Sequence, residues 1–204
     1  MCGGKVAMAG REIMWAPWNG QGLEHLRLAQ GEAGVVADSV VIGARGDRTF
    51  RVRYVVACDT SWRVREVRLS SLDADDHQLH LRADGTGRWE TAAGEPLHEL
   101  DGCLDVDIST TPFTNTLPIR RLDLWPGQSR DLTVAYVAVP DFEIRPVPQR
   151  YTALERRADG ALYTYEGLST AFVADLPVDA DGVVVDYPRL YRRVWTLATS
   201  LVAG

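Results

Sequence analysis

Phe50-Arg51-Val52-Arg53-Tyr54-Val55-Val56 points to a fold built of strands. Phe50, Val52, Tyr54 and Val56 alternate with Arg51 and Arg53. Residues two apart in an extended strand share a face, so this run has one apolar face and one wet face. Asp59-Thr60-Ser61 follows as a turn, and Trp62 and Val64 resume the alternation against Arg63 and Arg65. The apolar phase then slips, because Val67 and Leu69 lie on the opposite parity. A β-bulge near Arg65 or Glu66 restores the facing. The two segments read as one long hairpin with Trp62 in the core.

Working outward, turns recur at close intervals. Asp84-Gly85, Asp101-Gly102, Asp159-Gly160 and Asp181-Gly182 supply the positive φ angles of tight hairpins. Short strand candidates lie between them: Leu79 and Leu81 around His80, Trp89, then Leu104, Val106 and Ile108 alternating with Asp105 and Asp107. Leu132 to Val139 is almost wholly apolar and reads as a buried strand. Leu162 to Tyr165 and Val183 to Tyr187 complete the set. Helix signals are weak, and the only helical pieces expected fall near Pro188 to Val194. About a dozen or more strands, mostly antiparallel and joined by short turns, imply an all-β barrel, sandwich or roll.

The 204 residues suffice for a core without metal or disulfide staples. A net charge of −6 argues against a general nucleic-acid binder. Lys5 is the only lysine; codon bias accounts for this more simply than selection for guanidinium contacts. Cys2, Cys58 and Cys103 form no paired motif, and with the four histidines they give no zinc spacing. No metal and no cofactor are expected. Sparse cysteines suit a reducing compartment. Neither a signal-peptide pattern nor a run of roughly 20 apolar residues is present, so the expected location is cytoplasmic.

Several catalytic motifs fail on inspection. Gly167-Leu168-Ser169-Thr170-Ala171 lacks the last glycine of a nucleophile elbow and reads as a turn. No Walker loop exists, since no lysine follows a glycine-rich turn. Asp179-Ala180-Asp181-Gly182 misses the outer ligands of a calcium loop and reads as an Asp-rich hairpin turn. Asp73, Asp75, Asp76 and His77 read as an exposed loop. Asp105 and Asp107 share one strand face, able to hold a cation or to act as acid and base. The simpler expectation for that pair is a solvated face. Trp15, Trp18, Trp62, Trp89, Trp125 and Trp195, with the late tyrosines Tyr151, Tyr163, Tyr165 and Tyr187, suit either a core or a ligand groove.

The run from Asp105-Val106-Asp107-Ile108-Ser109-Thr110-Thr111-Pro112-Phe113 through Thr114-Asn115-Thr116-Leu117-Pro118-Ile119-Arg120-Arg121-Leu122 is distinctive. Gln149-Arg150-Tyr151-Thr152, Phe172 to Asp175, and Gly182-Val183-Val184-Val185-Asp186-Tyr187-Pro188 follow in order. This order resembles a bacterial family of unknown function described as glycolipid-binding. The resemblance covers about Gln30 to Arg193 and is strongest after Asp101. It implies a spiral β-roll, an open and strongly curled antiparallel sheet with many short strands and little helix. The family label rests on a shape similar to that of periplasmic lipoprotein carriers and a mycobacterial lipid-binding lipoprotein. The carriers work outside the cytoplasm, whereas no export signal is evident here. No catalytic residue is carried over.

The expected organisation is an N-terminal segment over 1–29, loose at its start and otherwise joined to the same domain, a β-roll over 30–193, and a tail over 194–204. The function expected first is binding of a lipid or glycolipid, with acyl chains in an apolar cavity of several hundred Å³. Arg120, Arg121, Gln149, Arg150, Tyr151 and Tyr187 are the candidate headgroup contacts, since such side chains bind sugar hydroxyls or phosphate. Two alternatives stand beside it. One is an enzyme using Asp105, Asp107 or Asp186. The other is an interaction module that pairs through an exposed edge strand or apolar patch.

Overall fold

The computed structural model describes residues 7–73 and 77–202. The start of the chain, expected to be loose, and Asp75 and Asp76 lie outside the described residues. Fourteen strands and one short α-helix make up the described part. The strands are β1 (Ala7–Pro17), β2 (Gly22–Gly31), β3 (Gly34–Arg45), β4 (Arg48–Cys58), β5 (Val64–Ser71), β6 (Gln78–Ala83) and β7 (Trp89–Thr91). After them come β8 (Asp105–Ile108), the helix α1 (Thr116–Leu122), β9 (Ser129–Ala138), β10 (Glu143–Arg157), β11 (Gly160–Gly167) and β12 (Val173–Asp179). The last two are β13 (Asp186–Tyr187) and β14 (Tyr191–Val202). The fold is all-β.

A nine-stranded sheet runs β13-β14-β1-β2-β3-β4-β5-β6-β7, and a five-stranded sheet runs β12-β11-β10-β9-β8. Every strand pair is antiparallel except β8 with β9. One sheet curls as a half-barrel. β1 lies between β14 and β2, with Ile13 opposite both Thr196 and Leu26. Residues on either side of the 30–193 stretch are therefore adjoining strands, and the chain is strand from Tyr191 through Val202. Their signal was faint in the sequence because Trp195 and Leu197 are exposed at the surface.

The opening hairpin is β4 and β5. Ala57 pairs with Glu66 but Cys58 pairs with Val64, so Arg65 is the bulged residue, where the slip of phase requires one. Trp62 closes the turn with φ 62°, and its ring is buried. Asp59 Oδ1 holds that turn by accepting from the N–H groups of Ser61 and Arg63 at 2.9 and 3.0 Å. Gly182, in another Asp-Gly turn, takes the expected positive φ of 75°. Gly160 differs. It is the first residue of β11, where a Cβ would lie 2.1 Å from the Val178 carbonyl oxygen.

The helical expectation near Pro188 to Val194 is not met. Leu190 N–H donates to the Tyr187 carbonyl at 2.9 Å, closing a tight hairpin between β13 and β14. The helix lies instead at Thr116–Leu122, inside the stretch bracketed by prolines. Pro118 falls in its first turn, where no intrahelical N–H is needed, so it does not break the helix. The inner face of the large sheet carries Ile13, Trp15, Leu26, Val52, Tyr54 and Val56, in one core with Val106, Ile108, Phe113, Leu117, Ala135 and Val137. Burying each such side chain stabilises the fold by roughly 1.5–3 kcal/mol. A second core gathers Tyr151, Tyr163, Tyr165, Leu176 and Tyr187 with Ile119 of α1.

Candidate functional site

The segment running from β8 through α1 lies against both sheets and brings buried acids together. Asp105, fully buried, accepts from Arg121 Nε at 3.1 Å and Nη2 at 2.6 Å. Burial pushes its carboxyl above the ordinary carboxylate range, and Arg121 pulls it back in part. Asp107 accepts from Gln149 Nε2 at 2.7 Å and from Thr114 Oγ1 at 3.1 Å. Burial raises its carboxyl too, against those two hydrogen bonds. The solvated face expected for this pair is therefore wrong. Asp105 is packed away from water, Asp107 is partly buried, and each holds an internal partner.

A third buried acid is treated differently. Glu24 on β2 sits in phase with Leu26 and Leu28, and its side chain points to the inner face of the large sheet. Three hydroxyls converge on a single oxygen, Oε1: Tyr54 at 2.6 Å, Thr111 at 2.8 Å and Ser39 at 2.9 Å. Thr111 is itself fixed, since its Oγ1 accepts from the Phe113 N–H at 3.0 Å. The other oxygen, Oε2, is buried without a partner. Burial is the main reason that this carboxyl is raised from 4.5 to about 7, while the three hydroxyls act in the opposite direction.

Glu24 lines a pocket of about 340 Å³. Val41, Phe50 and Val139 provide apolar wall, and the rings of Tyr136 and Tyr191 border it. Thr110 lines the same pocket, and its Oγ1 is likewise buried without a partner. At the rim stand Leu23, Ile42 and Leu190, all exposed. The buried lining thus sets Glu24 and Thr110 among apolar Val41, Phe50 and Val139, and the exposed rim mixes those leucines and Ile42 with Asn19, Gln21, Arg45 and Arg189.

None of the six headgroup candidates lines this pocket. Gln149 and Tyr151 are buried neighbours on β10, and Tyr151 Oη donates to Asn115 Oδ1 at 2.8 Å. Arg121 belongs to the same interior through Asp105. Tyr187 joins Tyr165 edge-to-face at 6.1 Å, and Tyr165 in turn meets Tyr151 at 5.5 Å. Arg120 stacks over the Trp62 ring at 5.2 Å and faces a separate cavity of about 350 Å³. Arg150 is exposed beyond these and pairs with Asp131 at 2.6 Å. Glu24 escaped the sequence reading, although an acid in the apolar phase of a strand is a usable signal.

A larger groove of about 1100 Å³ lies beside β7, lined by Arg65, Glu66, Asp84, Arg88 and Trp89 among others. Its charges are spent on one another and on the local backbone. Glu66 accepts from Arg68 and His80, and Asp84 accepts from Thr86 and from the Arg88 N–H. The Asp179 turn is closed in the same way: Asp179 pairs with Arg11 at 2.6 Å and also with Arg193. Among the described residues no cluster of His, Cys, Asp or Glu is arranged to hold a metal ion. No helix among them is long and apolar enough to cross a membrane.

Fold and pocket together define a curled all-β protein with a ligand-sized opening at the edge of its core. The chain belongs to the family described as "Putative glycolipid-binding", whose model matches residues 12–193. It is similar to a DUF1089 family protein from Pseudomonas aeruginosa, known from a crystal structure. The two are 38% identical with a TM-score of 0.76, over 88% of this chain and 92% of that one. No curated protein matches the chain.

Proposed function

We propose that the protein binds an amphipathic lipid or glycolipid, with the polar end in the Glu24 pocket and the apolar end over its rim. The observation that carries this reading is a pocket lined by both polar and apolar groups. Glu24 and Thr110, each with a buried side-chain oxygen that has no partner, line it beside Val41, Phe50 and Val139, and exposed Leu23, Ile42 and Leu190 lie at the opening. A ligand with a hydroxylated head and an alkyl tail matches that mixed lining, each buried CH₂ contributing about 0.8 kcal/mol. The family description supports a binding role at its own level. Elsewhere among the described residues the inner face of the large sheet is packed with the protein's own side chains.

The experiment is solvent extraction of protein purified from its native host, followed by mass spectrometry. A lipid or glycolipid at a ratio near one per chain supports the reading. An empty extract, with no alkyl amphiphile taken up by the purified protein, overturns it. Acid–base catalysis has one observation in its favour, a pocket carboxyl raised to about 7. It places that role on Glu24, since Asp105 and Asp107 are committed to Arg121 and Gln149. A hydrolytic screen with glycosides and esters tests it, and turnover retained by Glu24→Gln would exclude it.

A further inference from the structure

We propose that Glu24 Oε2 and Thr110 Oγ1 form a recognition pair for a neutral hydroxylated headgroup, a sugar or polyol, with the ligand hydroxyl donating to Oε2. This rests on the binding reading above and names the headgroup chemistry.

The geometry assigns the direction of the hydrogen bond. Oε1 already accepts from three hydroxyls, so it has no capacity left for a ligand. Oε2 accepts from no donor, although Glu24 is 1% exposed. Thr110 is 7% exposed and also lacks a partner at Oγ1. Burying such atoms unpaired costs free energy, more so for an ionised group. The two residues that carry them line one pocket, where a ligand can supply the missing partners. A hydroxyl satisfies both kinds of site, since it donates to the carboxylate and also exchanges a hydrogen bond with the threonine.

The surrounding charges favour a neutral head over an anionic one. A phosphate or carboxylate would meet the Glu24 carboxylate at close range. The pocket's arginines are turned to other tasks. Arg45 Nη1 donates to the Val139 carbonyl at 2.9 Å. Arg189 Nη2 donates to the Val173 carbonyl at 3.1 Å, and its guanidinium lies over the Phe172 ring at 5.4 Å. The other titratable groups facing Glu24 are phenols: Tyr54 from β4, Tyr191 from β14 and Tyr136 from β9. Their rings offer apolar faces with polar tips, suited to the mixed surface of a sugar.

A charge-assisted hydrogen bond to Oε2 needs the ionised carboxylate. Binding therefore releases a proton wherever free Glu24 is protonated, and affinity rises with pH until the carboxyl is fully ionised. With the carboxyl near 7, the rise falls between about pH 5.5 and 8.

The test is calorimetric titration with octyl β-D-glucoside below its critical micelle concentration, at pH 5.5 and pH 8. Octanoate serves as the anionic probe. The wild type should bind the glucoside roughly tenfold more tightly at pH 8 than at pH 5.5, and octanoate more weakly than the glucoside at pH 8. Glu24→Gln should lose the pH dependence and about tenfold of the affinity at pH 8. Thr110→Val should weaken binding severalfold and keep the pH dependence. Tight glucoside binding with no pH dependence in the wild type, or unchanged in Glu24→Gln, overturns the recognition pair and leaves the amphiphile reading intact. Preference for octanoate at pH 8 also overturns it. Absence of binding to either amphiphile, with an empty native extract, overturns both readings. The wild-type pH profile decides the matter even if a variant fails to fold.

Discussion

Asp105 and Glu24 are both buried acids bonded to the stretch that runs from β8 through α1, and the molecule treats them oppositely. Asp105 has a donor on each oxygen, both from the Arg121 guanidinium. Glu24 has three donors on one oxygen and none on the other. The first arrangement closes an interior; the second leaves a polar atom waiting beside a pocket. A satisfied network is what a fold needs for a unique interior, whereas an unsatisfied buried oxygen costs stability and calls for another role. The distinction separates acids that hold the structure from the acid placed to meet a ligand.

The steepest loss of stability is expected at Arg121. Arg121→Met removes both donors and leaves Asp105 buried and alone. Denaturant unfolding at pH 7 should show a loss of about 3–5 kcal/mol. The sign follows from linkage. Without Arg121 only burial acts on Asp105, so its folded carboxyl lies further above its unfolded range. The penalty is then relieved by protonation and should shrink as the pH falls toward about 4. A loss under about 1 kcal/mol at pH 7 would mean that the pair does not hold the interior.

Glu24→Gln should act with the opposite sign. The folded carboxyl, near 7, lies above its unfolded value of 4.5, so its contribution is fully present below pH 4.5 and is lost as pH rises through 7. Wild-type stability should therefore fall across that window by on the order of 3 kcal/mol. The glutamine keeps an oxygen for Tyr54, Thr111 and Ser39 and carries no charge. The variant should match the wild type near pH 4.5 and exceed its stability at pH 8. Parallel melts at both pH values check this. A variant less stable at pH 8 would place Glu24 with Asp105, among the structural acids.

Much of the fold was legible because its signals are local. The alternation at Phe50, Val52, Tyr54 and Val56 marks one face of a strand, and the phase slip after Val64 marks Arg65 as a bulge. The site was less legible because its contacts are distant. Thr111 and Glu24 are 87 residues apart, and no period links them. Period-two patterning also misled at Asp105 and Asp107. Alternation separates two faces, but it does not say whether the polar face meets water or meets Arg121 and Gln149. The helix Thr116–Leu122 was hidden by Pro118, which signals a break everywhere but in a first turn. The six headgroup candidates came from residue type and resemblance, and burial then joined Gln149, Tyr151 and Arg121 to one interior network.

The smallest contrast tests that network within a single strand. Arg150 and Tyr151 are neighbours on β10 and point to opposite faces. Tyr151→Phe deletes a buried hydroxyl and strands Asn115 Oδ1, which should cost about 1–2 kcal/mol in denaturant unfolding. Arg150→Ala removes an exposed pair with Asp131, which competes with water at every moment, so its unfolding midpoint should stay at the wild-type value. Neither change should alter octyl β-D-glucoside affinity, because neither residue lines the Glu24 pocket. A loss of glucoside affinity in Arg150→Ala, at an unchanged midpoint, would move the ligand to the outer face of β10. The division between satisfied and waiting acids would then no longer mark where the ligand goes.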